Sequence, residues 1–204
     1  MVLLRLAARA TVNAERDDRE LAALARGGDE GAFALLVRRH QGGVRRCAAR
    51  ILGDDEEARD IAQVAFIRAW DNLAKYDPTW SFSTWLYRIA TNLAIDVLRS
   101  RDSRDRTHVA HLRVVGDSVG PSAPGRLAEN EVRRIFGELA ATLTPAQRSA
   151  FLLREVEGRE TADVAAVMGC SEATVRNHVF QARVRLRKEL ATRYPEYLPK
   201  GGAR

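Results

Sequence analysis

The chain has 204 residues, 33 of them Lys or Arg against 27 Asp or Glu, for a formal charge of +6. That length allows one large or two small domains, and no apolar run is long enough to enter a membrane. Only two cysteines occur, Cys47 and Cys170, which excludes a disulfide framework and implies a reduced, cytoplasmic setting. Lysine appears only at Lys75, Lys188 and Lys200, so nearly all the positive charge is arginine, the side chain that grips phosphates and guanine edges with two parallel hydrogen bonds. This balance suits a polyanionic partner, although an arginine-rich genome produces the same bias without one.

Residues 1–16 begin with an apolar stretch that Arg5 and Arg9 interrupt, so they read as a loose tail rather than a secretory leader. From there almost every apolar pattern has the helical period, and the fold class is all-α: two small helical domains joined by a flexible linker, the second containing a helix-turn-helix. Helices are predicted at 17–26, 29–52, 55–74 and 82–101, separated by Gly27-Gly28, Gly53 and the Tyr76-Asp77-Pro78 break. Residues 17–101 form the first domain. In the 55–74 segment Ile61, Ala62, Ala65, Phe66, Ala69, Trp70 and Leu73 make one broad face for the core. Val64 and Ile67 lie on the opposite side among Asp60, Gln63, Arg68 and Asp71, where they await either a protein partner or another helix of the same bundle. In 82–101, Leu86, Ile89, Ala90, Leu93 and Val97 face inward and Arg88, Asn92, Ile95 and Arg99 outward. The loop before it, Lys75 to Phe82, mixes Tyr76 and Trp80 with Ser81 and other polar donors, and aromatic rings beside a cationic ridge are how proteins hold unpaired bases.

Residues 102–128 are polar, rich in Gly and Pro, and read as the linker. The second domain, 129–192, opens with a helix over 129–142. A further helix runs from a Thr144-Pro145-Gln147 capping box to Glu157, where Gly158 stops it. Residues 161–187 then read as a helix-turn-helix: Ala165 is small enough for close helix approach, Gly169 turns the chain, and Ser171 caps a second helix pinned by Val175, Val179, Ala182 and Leu186. Arg176, Asn177, Phe180, Gln181 and Arg183 are left for a major groove. Residues 193–204 form a C-terminal tail. A metal site combining His108 and His111 with Cys47, His40 or Cys170 lacks a second closely spaced pair, so neither a metal nor a cofactor is expected. The acids at 54–57 sit at a helix start, where they favour the dipole, and no nucleophile motif or phosphate loop occurs, so the chain is not expected to be an enzyme.

From about Asp17 to Leu190 the chain resembles an extracytoplasmic-function sigma factor, the small two-domain kind of bacterial RNA polymerase specificity subunit. The run Asp60 to Trp70 resembles the family's polymerase-docking helix, and Phe82 to Asn92 with Asp96 and Arg99 resembles its promoter-melting segment. Leu143-Thr144-Pro145 through Gly158 to Thr174-Val175-Arg176 and Ala182-Arg183 matches its C-terminal reader. The resemblance implies that Asp60, Gln63, Val64, Ile67 and Arg68 bind core RNA polymerase (beta and beta-prime subunits). It implies that Lys75, Tyr76, Trp80, Ser81, Thr84, Arg88, Asn92 and Arg99 hold the minus-ten element of promoter DNA. Thr174, Arg176, Asn177, His178, Phe180 and Gln181 would read the minus-thirty-five element as duplex, with Arg148, Arg154 and Arg183 on its phosphates. It further implies an anti-sigma factor that covers both domains. Three positions depart from the family: Val64 stands where an acidic residue is usual, and His178 and Gln181 stand where arginine is frequent, which weakens phosphate binding and shifts base preference. The alternative is a helix-turn-helix regulator that binds duplex DNA without serving as a polymerase subunit.

Overall fold

The computed structural model describes residues 16–105 and 124–197. Among the described residues there are eight α-helices and no strand, as the apolar periodicity requires. Helices α1 (Asp18–Arg26), α2 (Glu30–Leu52), α3 (Asp55–Asp71) and α4 (Phe82–Asp105) build the N-terminal part. Helices α5 (Pro124–Ala140), α6 (Pro145–Phe151), α7 (Thr161–Met168) and α8 (Glu172–Arg193) build the C-terminal part.

The helix starts are set by side chains that accept the first free N–H groups. Asp17 accepts from Glu20 N–H at 2.8 Å and Asp29 from Ala32 N–H at 3.0 Å. Asp54 accepts from both Glu56 and Glu57 N–H, which gives the acids at 54–57 a capping role together with the ion pairs Asp55 to Arg45 and Glu57 to Arg101. Thr144 and Gln147 form the reciprocal box expected of them, with Pro145 at the first helical position. Gly53 ends α2 at φ 72°, a conformation that a side-chain-bearing residue reaches only at a cost.

Four sequence expectations change. Helix α3 stops at Asp71, and Leu73–Lys75 form a 3-10 turn instead of continuing it. Helix α4 continues to Asp105 and α5 begins at Pro124, which shortens the expected linker at both ends. The helix expected to reach Glu157 widens at Leu152–Val156 into a π turn, with Glu157 N–H donating to Leu152 C=O; the extra residue in that turn lets both Leu152 and Leu153 enter the core. Ile95, expected on the outer face of α4, is buried.

Core residues come from both parts of the chain. A single cluster runs from Leu21, Leu36, Ile51, Phe66 and Leu86 into Leu152, Leu153, Val164, Val167 and Val175. A smaller one joins Ile135, Leu139 and Leu143 of α5 and the following turn to Ala182 and Leu186 of α8. Helix α4 is the junction, packing on α2 and α3 and also on α6 and α7. Leu86 lies at this junction with 0% exposure, so Leu86→Ala is expected to cost about 2–5 kcal/mol in denaturant unfolding, whereas Val64→Ala on the open face of α3 should stay within about 0.5 kcal/mol.

Candidate protein-binding and nucleic-acid-binding faces

Burial of Ile61, Ala62, Ala65, Phe66 and Ala69 fixes how α3 is rotated, and the opposite face is therefore open. It carries Asp60, Gln63, Val64, Ile67 and Arg68, all exposed. Val64 and Ile67 are 37% and 53% exposed, so no helix of the bundle covers them. Trp70 corrects the expectation that it fills the core: it is 38% exposed and leans on Phe33 of α2, the ring centroids 4.9 Å apart. Between α2 and α3 lies an apolar groove of about 710 Å³ walled by Phe33, Val37, Phe66, Ile67 and Trp70 and edged by Arg45, Arg59 and Gln63. Phe33 and Val37 went unnoticed in the sequence, although their spacing of four residues matches that of Phe66 and Trp70 and places each pair on one helical stripe.

The loop ahead of α4 is braced from inside. Tyr76 is only 5% exposed and its hydroxyl donates to Trp80 C=O at 2.8 Å, while Phe82 and Trp85 pack around its ring. Thr84 is buried with its hydroxyl paired to Ser81 Oγ at 2.8 Å, and Ser81 Oγ also accepts from Thr84 N–H. Tyr76 and Thr84 therefore brace the loop from inside rather than face outward, unlike their expected place on a DNA surface. Trp80, by contrast, is 50% exposed, and Lys75, Ser81, Arg88, Asn92 and Arg99 are exposed with it. Lys75 Nζ donates to Asn72 Oδ1, and Arg99 pairs with Asp96 at 3.6 Å. Trp80 is thus an exposed ring on a loop that also carries Lys75, and an exposed aromatic face can stack a base.

The helix-turn-helix forms as the sequence indicates. Gly169 turns the chain at φ 64°, Ser171 Oγ accepts from Thr174 N–H at 3.1 Å, and Val175, Val179, Ala182 and Leu186 are buried. On the far side of α8, Arg176, Asn177, Phe180, Gln181 and Arg183 are exposed, Phe180 by 61%, with Thr174 and His178 at the edge. Two of these arginines hold carboxylates of their own chain, Arg176 with Glu172 at 3.1 Å and Arg183 with Glu155 at 2.6 Å. Arg154 donates to Arg159 C=O at 3.1 Å. Arg148 departs from its expected phosphate-facing position: it is 8% exposed and turned inward against α2, with Nη2 3.4 Å from Arg50 C=O.

The sigma-70 region 2 family matches residues 36–104, and the sigma-70 region 4 family matches residues 133–186. The chain is 34% identical to the RNA polymerase sigma-H factor of Pseudomonas aeruginosa over 86% of its own length and 95% of that protein's. It is 32% identical to the ECF RNA polymerase sigma factor SigW of Bacillus subtilis, over 80% and 91% of the two lengths. This chain is an extracytoplasmic-function sigma factor. The fold agrees: CnrH, solved in complex with the cytosolic domain of CnrY, superposes with a TM-score of 0.64 at 27% identity, covering 86% of this chain and 98% of that one. RpoE of Bartonella quintana, solved with the anti-sigma factor NepR, shares the fold at a TM-score of 0.59 and 21% identity, over 79% and 98% of the two chains. As a sigma factor it directs core RNA polymerase to specific promoters and assists their opening. No helix among the described residues is long and apolar enough to cross a membrane.

The two thiols of this sigma factor differ in environment. Burial pushes Cys47 up to about 11, and burial also raises Cys170, which keeps partial solvent access in the turn before α8. Because the thiolate is the reactive form, a raised value means less of it at neutral pH. A colorimetric thiol reagent at pH about 8 should therefore modify Cys170 first and reach Cys47 only on unfolding; two equally fast thiols in the native protein would contradict this.

Proposed function

We propose a division of the sigma factor's work among three faces. The open face of α3 docks core polymerase: Val64 and Ile67 supply apolar area, Asp60, Gln63 and Arg68 the polar rim, and the adjoining groove takes an apolar side chain of the partner. The observation that carries this is the exposure of two aliphatic residues beside a preformed groove, on a helix whose core is already complete without them.

The loop and outer face of α4 hold the displaced strand of the minus-ten element, with Trp80 stacking a base and Lys75, Ser81, Arg88, Asn92 and Arg99 on the backbone. Tyr76 and Thr84 brace that loop. The exposed side of α8 reads the minus-thirty-five duplex through Arg176, Asn177, Phe180 and Gln181, flanked by Thr174 and His178. Arg154 and Arg183 contact phosphates, and Arg148 joins them once it leaves its inward position. The protein makes and breaks no bond; it exchanges binding free energy for strand opening in the cytoplasm, where polymerase is. CnrH was solved in complex with the cytosolic domain of CnrY, and RpoE in complex with the anti-sigma factor NepR. By that likeness this sigma factor has an anti-sigma partner, and Val64, Ile67 and the reading face of α8 are the surfaces it would cover.

Run-off transcription with bacterial core polymerase on pooled genomic fragments tests the whole assignment. Starts that depend on the protein and share two upstream elements at one spacing are expected; DNA binding without new starts would instead make it a regulator. In the same assay Val64→Glu with Ile67→Glu should abolish polymerase capture while leaving the fold intact by circular dichroism. Arg176→Ala is expected to cost about 1–3 kcal/mol and relax base preference, whereas Arg183→Ala should weaken all sequences alike and lower the salt slope by about one. Equal losses on specific and random duplex for both variants would defeat that separation of roles.

A further inference from the structure

One large apolar side chain on α8 is used neither by the core nor among the reading residues named above. The helix buries Val175, Val179, Ala182 and Leu186, and at about 100° per residue Val184 lies nearly opposite that stripe, 52% exposed. Phe180, one turn earlier and 61% exposed, stands on the same side, so the two form a continuous apolar ridge. A β-branched residue is a poor helix former, so an exposed valine gains nothing from the helix that carries it. Single exposed apolar residues are ordinary, but a pair one turn apart in the middle of a binding face is a contact surface.

What the ridge meets follows from its flanks. Apart from the ridge itself, every exposed residue of α8 from Arg176 to Lys188 is Asn, Gln, Arg or Lys. The carboxylates that hold Arg176, Arg183 and Arg185 come from outside that stretch, as Glu172, Glu155 and Glu189. Such a surround suits a polyanion. On a duplex the phosphates meet the cations, and the edges of the base pairs in the major groove offer one apolar group, the C5 methyl of thymine. Four residues of helix advance about 6 Å, less than two steps of stacked bases at about 3.4 Å, so the ridge reaches methyl groups within about two base pairs of one another.

We propose that Val184 is a specificity-determining residue: extending the Phe180 ridge by one turn, it packs on the C5 methyl of a thymine in the minus-thirty-five duplex. The proposal rests on the reading of α8 as the duplex-facing helix and adds to it a preference that no hydrogen bond makes. Moving one methyl group from water into an apolar contact is worth about 0.8 kcal/mol, which is about fourfold in affinity.

The probe is a promoter duplex carrying the upstream element found by run-off transcription, with each thymine of that element, on either strand, replaced singly by deoxyuridine. The replacement removes the methyl and leaves every hydrogen-bonding group in place. Affinity of the holoenzyme formed with bacterial core polymerase is measured for the natural chain, Val184→Ala and Arg183→Ala. For the natural chain one of the replacements should cost about fourfold. Val184→Ala, a better helix former, should bind the thymine duplex about as weakly as the natural chain binds that deoxyuridine duplex, and should no longer distinguish the two. Arg183→Ala should bind every duplex less well and keep the difference. Indifference of the natural chain to every replacement would overturn the proposal, and so would a difference that Val184→Ala retains. An upstream element made only of G·C pairs would overturn it as well. Loss of core-polymerase capture by Val184→Ala in the absence of DNA would give the ridge to a protein partner instead. If Arg176→Ala leaves base preference unchanged, the reading of α8 itself fails, and the proposal with it.

Discussion

Helix α4 has to bury two sides of itself at once. Leu86, Ala90 and Leu93 share a core with α2 and α3, and the same helix packs on α6 and α7 of the C-terminal part. The loop ahead of α4 and the outer face of that helix take their position from this. The loop from Lys75 to Ser81 is held at the start of α4 by Tyr76 and Phe82, so that Trp80 is the ring left outside. The rotation that sends Leu86 and Ala90 inward sends Arg88 and Asn92 outward, as a helical period of 3.6 residues dictates.

The three faces differ in how they are prepared. The backbone under the open side of α3 is already in place, because the opposite face of the helix is buried from Ala58 to Ala69, so a partner need not order it. The exposed side of α8 is preformed but electrostatically occupied, with Arg176 and Arg183 turned to Glu172 and Glu155. Exposed pairs of this kind are worth little in water, so a phosphate or a base edge displaces the carboxylates at small cost. The Arg88 face of α4 is exposed, with the Arg88 guanidinium beside the Gly169 corner.

Arg148 shows why an arginine count says little about where arginines act. Its place at the fourth helical position after the Thr144 cap suits a residue facing either solvent or α2. Gly53 decides the matter: a Cβ there would come within 3.1 Å of Arg148 Nη2, so the glycine that ends α2 also makes room for the guanidinium. A positive φ and a close approach are demanded at the same position, and glycine satisfies both.

Much of this was legible in the sequence because it is local. Helical periodicity, the caps at Thr144 and Ser171, the Gly169 corner and the placing of Val64 and Ile67 opposite the core face of α3 all follow from residues within a few positions of one another. Local pattern cannot say what a side chain meets from a distant segment. Tyr76 and Thr84 look like loop donors, yet their hydroxyls are spent inside the fold, and Trp70 has an apolar spacing but finds only Phe33 to lean on. The groove needs α2 and α3 side by side, and the seating of the Gly169 corner on Arg88 joins residues far apart in the chain. The sequence by itself determined the helices, their caps and the family; only tertiary packing decided which arginines are free, since burial and pairing depend on neighbours that no local spacing encodes.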